Sequence, residues 1–148
     1  SSQQPGCSAD QVLSGITRQV GDVSHQWASD PGQPLPQWLR VDLPRPAPVD
    51  EIHLTFDSGF TRPLTLTHDD GFNARMIRGP QPETVRDYTI EARVEGEWRR
   101  VVEVKGNYQR KIVHRIEPVM ADSVRLTVHA TNGDPSARVF EVRLYGPR

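Results

Sequence analysis

The sequence predicts an all-β domain, either a sandwich or a barrel. Three observations carry this. Apolar residues recur at every second position in several short runs, which is the period of a strand with one buried face. Gly and Pro turns separate the runs. No window of about twelve residues shows the apolar stripe of an amphipathic helix. The chain has 148 residues, the length of one ordinary domain with a real core.

Taken in order, residues 1–11 ("SSQQPGCSADQ") are polar and are expected to form a flexible tail before a single domain spanning 12–148. The chain starts without methionine and is expected to be a processed product or an excised domain. Trp27 and Trp38 then flank a stretch containing Pro31, Pro34 and Pro36, prolines that restrict a loop's freedom. In "WLRVDL" Leu39, Val41 and Leu43 alternate with polar positions, and Pro44, Pro46 and Pro48 are expected to end that strand. In "VDEIHLTFD" Ile52, Leu54 and Phe56 share a face. A long excursion runs from Asp57 to Glu83. Its Phe60, Phe72, Met76 and Ile77 argue against disorder, since that much apolar surface finds something to cover. "YTIEARV" places Tyr88, Ile90, Ala92 and Val94 on one face, and Glu95-Gly96 reads as a tight hairpin turn into "WRRVVEV". "SVRLTVHA" aligns Val124, Leu126, Val128 and Ala130, and "VFEVRLY" aligns Phe140, Val142 and Leu144.

Composition excludes several classes. A net charge of −1 gives no electrostatic basis for binding nucleic acid. No apolar run is long enough to span a bilayer, so no membrane insertion is expected, and no signal-peptide pattern is present. Cys7 is the only cysteine, which excludes an internal disulfide and a cysteine-cluster metal site. Neither G-x-S-x-G, H-E-x-x-H nor G-x-G-x-x-G occurs, so no catalytic residue and no cofactor are assigned. His53, His114 and His129 fall in strands, where a solvent-facing or hydrogen-bonded core histidine is the ordinary state.

The ordered motifs "HQWASD", "PQWLRVDL", "YTIEARVEGEWRRV", "VRLTV" and "FEVRLYG" resemble the coagulation factor 5/8 type C (discoidin) family of galactose-binding-domain-like proteins. The resemblance covers roughly residues 12 to 146 and implies a β-sandwich of jelly-roll type with recognition loops at one end. "SGITR", "LPQWLRVDL", "TFD", "GNYQR" and "ATNGDPSARVFEVR" also resemble the C-terminal domain of certain bacterial FAD-dependent oxidoreductases. That likeness implies an appended module of a larger chain.

The resemblance implies a non-catalytic carbohydrate-binding module that binds a glycan weakly, in a secreted, periplasmic or cell-surface bacterial setting. The alternative is a structural or docking domain that packs on its parent enzyme. Trp27 is expected as a buried anchor under the ligand-end loop, with Trp38 and Trp98 as further core anchors. Many members of the family hold a structural calcium, and Glu141 stands where their last-strand Glu falls, with Asp22 the nearby early-loop acid. The usual D-G-[DN]-x-x-T spacing is missing, and His25 stands in place of the threonine. Two side chains are too few for an ion needing six to eight oxygens, so no metal is expected, and Glu141 is expected to pair with Arg138 or Arg143. The ligand-binding candidates are Asn107, Tyr108, Arg110 and Asn132 in the polar tracts, Phe60, Phe72 and Arg75 in the excursion, and His25. Planar amides and guanidinium groups suit vicinal hydroxyls, and an aromatic ring suits the C–H face of a sugar. Turn-making alone also accounts for the two asparagines.

Overall fold

The computed structural model describes residues 1–60, 62 and 67–147. Along them run a 3-10 helix (Ala9–Leu13), β1 (Trp27–Ala28), β2 (Gln37–Phe56), helix α1 (Asp70–Arg75), β3 (Val85–Val94), β4 (Glu97–Val104), β5 (Lys111–Thr131) and β6 (Arg138–Tyr145). Every named pairing is antiparallel. Both helical elements are shorter than the windows in which an apolar stripe becomes legible.

Two long strands serve both layers of the sandwich. The first half of β2 (Gln37 to Asp42) pairs with the second half of β5 (Ser123 to Val128), which also pairs with β3, and β3 with β4. The second half of β2 (Glu51 to Thr55) pairs with the first half of β5 (Lys111 to Arg115) and with β6, which carries β1. The register between β2 and β5 shifts between Asp42 and Ala47 and again between Val49 and Glu51. Those shifts are the bends that fold one ribbon into two layers.

The prolines therefore bend β2 rather than end it. Pro44 and Pro46 fall inside the first register shift, where no ladder bond needs an N–H, and Pro48 faces Met120 back in register. β5 is likewise longer than its clearest apolar run. Lys111 to Asp122 extend it, with Ile112 and Ile116 packed against the core.

The core lies between the layers. Leu39, Tyr88, Ile90, Ala92, Val124, Leu126 and Val128 are buried in the first, and Ile52, Leu54, Phe56, Val139 and Val142 in the second. The Phe56 and Tyr88 rings meet edge-to-face across the interior at 5.3 Å, a favoured aromatic geometry. Trp27 is 1% exposed and anchors the loop end as expected. Trp38 is not a core residue. It points off the outer face at 40% exposure, because Leu39 and Val41 take the inward positions of β2. Trp98 is half-buried on the same outer face, with the Arg125 guanidinium 4.3 Å above its ring.

The hairpin turn forms where predicted: Glu95 and Gly96 both have positive φ, as the tight primed turns require. Residues 1–11, expected as a flexible tail, are instead tied down. Gln4 N donates to Ala28 O (2.8 Å) and Ala28 N to Cys7 O (3.2 Å), while Gln4 Nε2 donates to Ser29 O and Ser136 Oγ, both at 2.9 Å. The short β1 would otherwise leave these edge groups open, and an unpaired backbone group is costly.

The pairing puts the long connections at one end. Residues 14–26, 105–110 and 132–137 emerge there, with Asp57 and Thr84 at the two ends of the excursion, since Phe56 pairs with Val139, Thr55 with Lys111 and Val85 with Thr131 near that end. The opposite end holds the β3–β4 hairpin and the bends of β2 and β5.

Candidate functional site

At the loop end lies a cavity of about 220 Å³ lined by Arg18, Gln19, Gln26, Asp57, Phe60, Glu83, Arg138 and Phe140. Each wall has a local cause. Phe56 is the last residue of β2, so Asp57 opens the excursion at the rim. The Asp57 carboxylate accepts from Gly59 N at 2.9 Å, and Gly59 has φ +63°, a conformation that favours glycine. The next residue, Phe60, is thrown outward and is 60% exposed.

Phe140 reaches the cavity through a bulge. Thr55 faces Glu141 and Phe56 faces Val139, so Phe140 is the extra residue of β6 and has no partner across the ladder. Bulges of this kind re-aim a side chain, here from the core face to the loop end.

His25 has φ +53°, a left-handed turn that histidine tolerates better than most residues, and it leads the chain into Gln26 and Trp27. Gln26 is 8% exposed, and its Oε1 is buried without a hydrogen-bond partner among the described residues. Buried polar atoms are nearly always paired, so an acceptor left open in a cavity wall is suited to a donor from a ligand.

The charges around the cavity are largely matched. Arg62 grips Glu83 through both guanidinium nitrogens, with Nη2 to Oε2 at 2.7 Å. These hydrogen bonds hold the Glu83 carboxyl below the usual carboxylate range. Arg138 Nε donates to Asp134 Oδ2 at 3.2 Å. A carboxylate kept ionised by an arginine is unsuited to deliver a proton. What remains is a polar hollow with guanidinium donors, carboxylate and amide acceptors, and two aromatic rings.

The sequence candidates divide on this geometry. Phe60 lines the cavity, and Arg110 lies directly behind it. Asn107 is buried, and its amide is committed: Nδ2 donates to Val85 O (2.6 Å) and Gln109 O (3.1 Å), and Oδ1 accepts from Gln109 N (2.9 Å). Asn132 Nδ2 donates to Thr84 O and Asn107 O, both at 3.0 Å. The two asparagines thus tether neighbouring loops. Tyr108 is 65% exposed at the same end but outside the cavity wall. Phe72 and Arg75 line a separate hollow with Arg62, Met76 and Ile77. There Asp69 caps α1 by accepting from Phe72 N at 2.9 Å. His25 turns the chain beside the cavity and does not line it.

The calcium set named by the resemblance does not fit. Arg143 Nε holds Glu141 Oε1 at 2.7 Å, and Asp22 is exposed. Among the described residues no group of three or more His, Cys, Asp or Glu converges.

Sequence reasoning missed Arg18, Gln19, Gln26, Asp57, Glu83, Arg138 and Phe140. Asp57 and Glu83 bound the long excursion and Gln26 precedes the anchoring Trp27, and those were the only signals available. The rest depend on loops meeting in space.

No protein-family model matches the sequence, and a search of curated proteins returns no match. Solved structures do match. The family 32 carbohydrate-binding module of Clostridium perfringens NanJ, in complex with galactose, aligns over 97% of this chain and 88% of its own, with TM-score 0.70 and 17% identity. The family 32 module of Streptococcus pneumoniae EndoD aligns over 99% and 90%, with TM-score 0.71 and 19% identity. Chitosan-binding module 2 of a Paenibacillus sp. IK-5 chitosanase/glucanase, in complex with chitotriose, aligns over 99% and 92%, with TM-score 0.72 and 16% identity. The chain therefore has the galactose-binding-like β-sandwich fold of these modules.

Proposed function

We propose that this domain binds carbohydrate without acting on it, and that the loop-end cavity is the site. The observation that carries the proposal is the open acceptor of Gln26 beside the Phe60 and Phe140 rings. A hexose offers hydroxyl donors on its rim and a C–H face for an aromatic ring. The shared fold with modules solved with galactose and chitotriose supports the same reading. Of the sequence candidates, Phe60 serves as a contact, while Tyr108 flanks the cavity.

The test is titration of galactose, lactose and chitotriose, with chemical-shift mapping. Expected dissociation constants are on the order of 0.1–1 mM, or about 4–5.5 kcal/mol, for a shallow hydrated site. Shifts should centre on Gln26, Phe60 and Phe140. Shifts confined to the hairpin end around Glu95 would refute the site.

A second reading rests on a different observation. A mainly apolar groove of about 280 Å³ runs along Val12, Leu13, Val41, Leu43, Val142, Leu144 and Tyr145, with the Glu141–Arg143 ion pair also in its wall. It favours a module that docks on a parent enzyme domain in the same chain. The motif likeness makes an FAD-dependent oxidoreductase our proposed parent, in a bacterial secreted or cell-surface setting. Absence of binding to any sugar, with tight association to such a domain, would decide for docking.

A further inference from the structure

We infer that Arg110 is a positioning residue, which holds the Phe60 ring as a wall of the cavity and does not itself touch the ligand. The inference rests on the sugar-binding reading above and concerns how that site is built.

The guanidinium carbon of Arg110 lies 5.0 Å from the Phe60 ring centroid and 5.1 Å from that of Phe140. The planar cation therefore lies over both rings. Phe140 is 4% exposed and fixed in β6. Phe60 is on a loop, beyond a left-handed glycine, and stands outside the core cluster at 60% exposure. The same guanidinium donates through Nη2 to Thr17 O and through Nη1 to Ser58 Oγ at 3.4 Å. Arg110 is itself fixed, because its carbonyl accepts from Phe56 N at 2.7 Å. One side chain thus joins the segment carrying Arg18 and Gln19, the segment carrying Asp57 and Phe60, and the rigid strand carrying Phe140. All five of those residues line the cavity, and Arg110 does not.

Arginine suits this place for a physical reason. Its flat, weakly hydrated guanidinium stacks on aromatic rings while donating from its edge. A lysine ammonium keeps the charge and one donor for Thr17 O but cannot lie flat over two rings. Without the stack, Phe60 is free to change rotamer, and binding must then order it.

The test pairs a ligand-free measurement with a mutant cycle. In the unliganded protein, the Arg110 Nε–Hε resonance should lie upfield of an ordinary arginine, shielded by both rings, and should move back in Phe60→Ala. A resonance at the ordinary position in the parent protein would overturn the proposal whatever the sugar result. In titrations with galactose and chitotriose, Arg110→Lys should weaken binding by about three- to tenfold, the cost of ordering one freed side chain. Thermal melting verifies that this variant is folded. In the Phe60→Ala background the same substitution should have little further effect. Full losses that simply add would assign Arg110 to direct ligand contact and sink the positioning role. An upfield resonance in a protein that binds neither probe would uphold the stack and defeat the sugar reading.

Discussion

Tyr88 and His114 are joined across the sandwich, Oη to Nε2 at 2.8 Å, with their rings 5.8 Å apart. Tyr88 belongs to β3 in one layer, and His114 to the half of β5 that lies in the other. Burial pushes the Tyr88 phenol up and the His114 imidazole down, so the neutral form of each is favoured.

This pair predicts a pH dependence. The folded-state pKa of His114 is lowered, so below the ordinary histidine value of about 6.5 the unfolded chain binds a proton that the folded chain refuses. Its contribution to stability is complete above that value and is lost as pH falls through it, levelling below the folded pKa. Urea midpoints should decline between pH 7 and 5 in the parent and less in His114→Leu. Parallel profiles for the two proteins would remove His114 as the cause.

The tryptophans should separate. Trp27→Ala opens a cavity beneath the loop end and should cost about 3–5 kcal/mol, the range for aromatic core truncations. Trp38→Ala, on the outer face, should stay within about 0.5 kcal/mol. Denaturant unfolding of both measures the contrast, and equal losses would contradict the facing of β2.

Asn107→Ala should lower stability by about 1–3 kcal/mol, because the carbonyl of Val85 loses a buried donor. Its unfolding midpoint is the readout. An unchanged midpoint would mean that water replaces the amide.

Gln26→Leu should leave stability unchanged or raised, since it removes a buried acceptor that no group among the described residues satisfies. It should weaken sugar binding by about tenfold. A large fall in the melting temperature would show that the amide supports the fold instead.

The strand faces were legible because burial imposes a period of two: Ile52, Leu54, Tyr88, Ile90 and Leu126 all lie inside as the alternation requires. The loop end was legible through the motifs and the excursion. Three things were not. The prolines of β2 hid a continuing strand, because a missing N–H is harmless within a register shift. Phe140 obeys the period in sequence and leaves it in space, since one bulge residue reverses facing. The cavity draws its wall from segments far apart in the chain, and only Phe60 among its residues carried a local sign of exposure. Asn107 and Asn132 carry the residue types of a polar site, but backbone carbonyls use their amides first.

The shared strands also govern how the chain reaches this state. Neither layer has a complete set of strands until β2 and β5 have met, and those partners are distant in sequence. The hairpin of β3 and β4 can close early, but it has nothing to cover until that ribbon arrives. Folding is therefore expected to be a single slow, all-or-none event, on the millisecond-to-second scale of roughly one to a thousand milliseconds usual for non-local β topologies, with neither layer forming ahead of the other.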